Sequence, residues 1–121
     1  MPVKSSTSSV LRWPDAAAVM VAARGWAADQ AARRRDLVRL GVFGSYARGD
    51  AGVGSDLDFV AVVRDSTQPF ARRAAEWDLT SLPVPAELLV YTEQEWGQLR
   101  ATGDRFPRTL AAEAVWLVGS G

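Results

Sequence analysis

The stretch GSYARGDAGVGSDLDFVAVV, Gly44 to Val63, decides how this chain folds. Gly44 closes the apolar run LVRLGVF, Leu37 to Phe43, which reads as a strand. Ser45 to Asp50 suits a short helix with Ser45 as its N-cap. Gly49, Gly52 and Gly54 then punctuate a loop. Asp56 to Val63, DLDFVAVV, is the clearest strand in the chain. A run this continuously apolar predicts a sheet covered on both faces.

The same stretch carries chemistry. Side chains alternate across a strand, so Asp56 and Asp58 point to one face while Leu57 and Phe59 point to the other. Two adjacent carboxylates with no lysine nearby in sequence repel each other, and divalent cations relieve that repulsion. Paired metals on such carboxylates can activate an attacking oxygen and stabilise a leaving pyrophosphate. Gly44 and Ser45 stand where a strand becomes a helix, and the unpaired amides of a first helical turn suit phosphate oxygens. The Ser45 hydroxyl can bond a phosphate or cap its own helix. Arg48 can grip phosphate or pair with Asp50. Glu87 interrupts the apolar run AELLVY and is the expected third carboxylate, sharing a metal and helping to deprotonate an incoming hydroxyl.

Outward from this centre, Pro14 and Asp15 suit the first turn of an alanine-rich helix running to Arg35, with Val19, Ala22, Ala23, Trp26 and Gln30 near helical spacing. Arg33 to Arg35 reads as its solvated end. After the central strand, Pro69 opens a helix with Phe70, Ala74 and Trp77 on one face. Glu87 to Tyr91 is a third strand, held back by Pro83 and Pro85. Thr92-Glu93-Gln94-Glu95 matches a capping box, so a helix follows with Trp96 and Leu99 inward. Gly103 breaks it, Pro107 opens a last helix, and Val115 to Val118 returns as a short edge strand. The order α-β-α-β-α-β-α-α-β predicts an α/β domain on a small mixed sheet of about four strands flanked by helices. Residues 1–12 read as a flexible arm and 13–121 as one domain.

Composition narrows the chemistry. Cysteine and histidine are both absent, which removes thiolate nucleophiles, zinc sites of the usual kind and the commonest general base. Any metal site must use oxygen ligands, favouring magnesium, manganese or calcium. The 14 basic and 14 acidic residues balance, so there is no field to hold a nucleic acid stably. No apolar run is long enough for a membrane span, and the polar start lacks a signal-peptide core; the cytoplasm is the expected compartment.

At Gly44 to Val63 the chain resembles the minimal nucleotidyltransferases of the DNA polymerase beta-like superfamily. The match is Gly-Ser, ten residues, then Asp-x-Asp, with Ala47-Arg48-Gly49 and Ser55 in place. The resemblance implies that Gly44, Ser45 and Arg48 bind the triphosphate of ATP. It implies that Asp56 and Asp58 bind magnesium, two ions being expected and manganese being possible. Glu87 stands where the family often has aspartate, and its extra methylene changes the reach to a metal. Small members commonly pair with a helical HEPN toxin, and some silence it by moving AMP from ATP onto a tyrosine. The short length fits this role, since another chain must then supply the acceptor. The alternatives are an antitoxin that neutralises its HEPN partner by contact alone and transfer to a small-molecule acceptor.

Overall fold

The computed structural model describes residues 13–119. The expected arm at residues 1–12 lies outside them.

Helix α1 spans Ala16–Arg33. Asp15 caps it, accepting from the Ala18 amide at 2.7 Å, so the aspartate serves as the cap residue rather than as part of the first turn. The helix stops at Arg33, two residues before the expected end, because Arg34 turns extended and stacks over Trp77. Strand β1 is Leu37–Phe43, the short helix α2 is Ser45–Arg48, and β2 is Leu57–Val63. Helix α3, Phe70–Arg73, continues as a single 3-10 turn, Ala74–Glu76. Then follow β3, Ala86–Thr92, helix α4, Glu93–Thr102, helix α5, Arg105–Glu113, and β4, Val115–Val118.

The four strands form one mixed sheet in the order β3-β2-β1-β4. β1 pairs antiparallel with β2 and β4, and β2 pairs parallel with β3. β2 is therefore interior, and from Phe59 to Val63 every residue is buried. Its alternation divides the core. Leu57, Phe59, Ala61 and Val63 face α1, where Trp26 lies 4.5 Å from the Phe59 ring. Val60 and Val62 face Trp96 of α4 and Leu110 of α5. A fully buried side chain such as Phe59 or Leu40 contributes about 1.5–3 kcal/mol. Gly41 on β1 admits the Trp116 ring, which a Cβ there would meet at 2.7 Å.

Three local expectations are corrected. Phe70, Ala74 and Trp77 do not share one helical face: the α-helix ends at Arg73, Phe70 is exposed, and Trp77 is buried from an extended backbone. Pro107 does not open α5 but is its third residue, where the missing N–H leaves no intrahelical bond unmade. Ser45 does not cap α2. Gly44 occupies that position with φ 77° and ψ −153°, so Ser45 already lies inside the first turn.

Candidate active site

The site grows from the β1–α2 junction and the starts of β2 and β3. In the sheet register Asp58 stands between Phe43 on β1 and Glu87 on β3. Residues level across adjacent strands project to the same face, so Asp58 and Glu87 share the side covered further along by α4 and α5. Asp56 lies two residues before Asp58, just ahead of the first strand residue, Leu57. The chain is returned to this point by a closed turn: the Gly52 amide donates to Ser55 Oγ at 2.9 Å and the Ser55 amide to the Gly52 carbonyl at 3.0 Å. Leu57 then enters the sheet, donating to the Pro85 carbonyl at 2.9 Å.

Gly44 is required twice. Its backbone lies in a region that side chains almost never adopt. A Cβ there would also stand 2.5 Å from Asp58 Oδ2. The strand-to-helix turn is thus pressed against the Asp58 carboxylate, which joins the phosphate-type motif to the acidic motif at one point.

The electrostatics follow from the packing. Asp58 is half-buried, while Asp56 and Glu87 are exposed. Burial raises the Asp58 pKa above the ordinary aspartate value, and the charges of Glu87 and Asp56 raise it further; Arg48 opposes them. Arg48 donates from Nε to Asp50 at 3.2 Å and from a terminal nitrogen to Glu113 at 3.3 Å. These acids, Asp50 first, hold the guanidinium pKa above its usual value. Both acids claim Arg48, so the alternative of pairing with Asp50 is realised and shared with Glu113.

Glu113 is the residue that sequence reasoning missed. It is the last residue of α5, 69 positions from Gly44, and its Oε1 accepts the Gly44 amide at 3.0 Å. No local pattern announces it; the one visible oddity is an acid in a last helical turn that has no basic residue.

Among the described residues no three acidic side chains already stand close enough together to hold a metal ion. The donor set nevertheless suits a hard cation. Asp56, Asp58 and Glu87 offer only oxygen, and the repulsion felt at Asp58 is what a divalent ion relieves. Beside these acids, the Gly44 amide and Arg48 both donate to Glu113.

A nucleotidyltransferase domain family model matches residues 27–117, from within α1 to within β4. No curated protein matches the chain. Among solved structures, a Sulfolobus solfataricus protein described as a nucleotidyltransferase superimposes with a TM-score of 0.60 at 20% identity, over 84% of this chain and 80% of that one. A toxin-antitoxin structure with AMP-PNP superimposes with a TM-score of 0.56 at 19% identity, over 80% of this chain and 73% of that one. At such identities the two superpositions establish the shared fold, and the family match spans most of the chain and contains both the Gly44-Ser45 turn and the paired aspartates. The chain belongs to the nucleotidyltransferase domain family.

Proposed function

We propose that the chain is a metal-dependent nucleotidyltransferase that moves AMP from ATP onto a tyrosine hydroxyl of a HEPN-family toxin, and that it acts as the antitoxin of that pair. The observation that carries this reading is the contact of the Gly44 turn with Asp58, itself level with Glu87 on the edge strand. Gly44, Ser45 and Arg48 bind the triphosphate through amides and guanidinium. Asp56, Asp58 and Glu87 would hold two magnesium ions, or manganese, by side-chain rotations that bring their oxygens together. When bound, the metals supply Lewis-acid stabilisation of the phosphate charge. The tyrosine oxygen attacks the α-phosphorus, the α–β phosphoanhydride bond breaks, and pyrophosphate leaves. Glu87 is exposed, so it can receive the phenolic proton from an acceptor arriving on another chain.

The toxin-antitoxin structure with AMP-PNP supports a toxin as the partner, and the balanced charge of the chain argues against a nucleic-acid acceptor. No helix among the described residues is long and apolar enough to cross a membrane.

The test is to incubate the chain with magnesium, α-labelled ATP and the candidate toxin. Label should appear on a toxin tyrosine, and Asp58→Ala should reduce the rate at least about a hundredfold. No label on the toxin, with both proteins folded and nucleotide bound, would end the enzymatic reading. A second reading, neutralisation by contact alone, draws on Glu87 standing where the family often has aspartate. It requires Asp58→Ala to protect cells from the toxin as fully as the parent chain does.

A further inference from the structure

We propose that Glu113 is a built-in anion that occupies the Gly44 amide and Arg48, and that a nucleoside triphosphate must displace it to bind. The inference rests on the reading of these donors as the phosphate site. One carboxylate oxygen, Oε1, accepts from both groups, at 3.0 Å from the Gly44 amide and 3.3 Å from Arg48. A phosphate oxygen placed there would need the same two donors.

The position of Glu113 argues for a specific role. It closes α5, where the helix dipole is negative and an acid is disfavoured, and that last turn carries no basic residue to offset it. The Gly44 amide and Arg48 are the partners that stabilise it there. The side chain is 21% exposed, so it has a path to solvent without unpacking Leu110, the buried anchor of the same helix. Once Glu113 leaves, Arg48 still has Asp50 to hold its guanidinium in place at 3.2 Å. The Gly44 amide would then pass from a carboxylate acceptor to a phosphate one.

Affinity for an ATP analogue with a non-cleavable α–β linkage, measured with magnesium by calorimetry, tests this in the parent chain, Glu113→Ala and Glu113→Asp. Thermal melts of all three check folding. Displacement predicts that both variants bind about three- to tenfold tighter, since an exposed ion pair of about 1 kcal/mol no longer competes. The aspartate variant is decisive because it keeps the charge but is too short to hold the Gly44 amide. Tightening in Glu113→Ala with no change in Glu113→Asp would overturn the proposal, leaving only a field effect of the charge. Weaker binding in both would overturn it in favour of Glu113 positioning the Gly44 turn. Should the folded parent and both variants all fail to bind, the nucleotide reading itself fails and the displacement with it. If Glu113→Ala does not fold, Glu113→Asp alone decides by the same sign.

Discussion

The two ends of the β2–β3 ladder handle charge in opposite ways. At the start of the strands, Asp58 feels the charges of Glu87 and Asp56, and Arg48, the cation that acts on Asp58, is already engaged by Asp50 and Glu113. At the far end, Arg73 is buried and its donors are used: the guanidinium holds both oxygens of Glu95 and reaches the Val90 carbonyl at 3.1 Å and the Gln68 carbonyl at 2.9 Å. Glu95 in turn completes the capping box, accepting the Thr92 amide at 2.9 Å while its own amide donates to Thr92 Oγ1 at 3.2 Å. One end spends its charge on holding the fold together. The other keeps like charges close at a cost to stability, the pattern expected where a ligand is to supply the missing counter-charge.

The contrast breaks most visibly at Arg73. Arg73→Ala strands Glu95 and leaves two carbonyls short of a donor, so it should destabilise the chain by about 2–4 kcal/mol. That figure allows for Glu95 being partly solvated, and it corresponds to a melting temperature lower by roughly 8–16 °C. A loss below about 1 kcal/mol would mean that the far end is no better satisfied than the near one.

At the acidic end the backbone, not a side chain, is the sensitive element. Gly44→Ala forces a side chain into a backbone region reserved for glycine and pushes against Asp58 Oδ2. It should cost about 1–3 kcal/mol in denaturant unfolding. Nucleotide affinity should fall further than that loss explains, because the displaced turn carries the donors.

Thr92→Ala returns to the satisfied end and removes the hydroxyl that holds the Glu95 amide. A loss of about 1 kcal/mol is expected, smaller than for Arg73 because Glu95 keeps its guanidinium. A double mutant with Arg73→Ala should fall short of additivity, since both changes act on Glu95.

How much of this was readable from the sequence follows the range of the interactions. The β2 alternation is a property of consecutive residues, and the two core faces came from it directly, whereas Asp56 stands just ahead of the strand. The Thr92–Glu95 box is a four-residue signal and was equally plain. Arg73 was not, because nothing local distinguishes it from exposed Arg72; its burial depends on Glu95, 22 residues away. Glu113 was hidden for the same reason, as it reaches Gly44 only once β4 has brought α5 back beside β1. Local cap preference favours Ser45, but the close approach of Asp58 leaves room only for Gly44 at the cap position.

The smallest effect is also the one of opposite sign. The Asp58 pKa is raised in the folded state, by burial first and then by Glu87 and Asp56. A raised carboxyl favours the fold below its unfolded value, and that contribution is lost as pH rises through the raised folded value. At neutral pH, without metal, Asp58 therefore weighs against folding. Asp58→Asn should stabilise the chain by a few tenths of a kcal/mol after allowance for solvent screening, or about 1–3 °C in melting temperature. The gain should vanish near and below roughly pH 4, where the parent aspartate is also neutral. Glu95 runs the other way: Arg73 lowers its pKa, so its contribution is present above the ordinary carboxylate range and is lost as pH falls through the lowered value. Magnesium should separate the two ends again. It should raise the melting temperature of the parent chain and leave Asp58→Asn nearly unmoved, because the amide neither repels its neighbours nor offers the ion a charge. A magnesium response of equal size in both would show that Asp58 is not where the missing counter-charge goes.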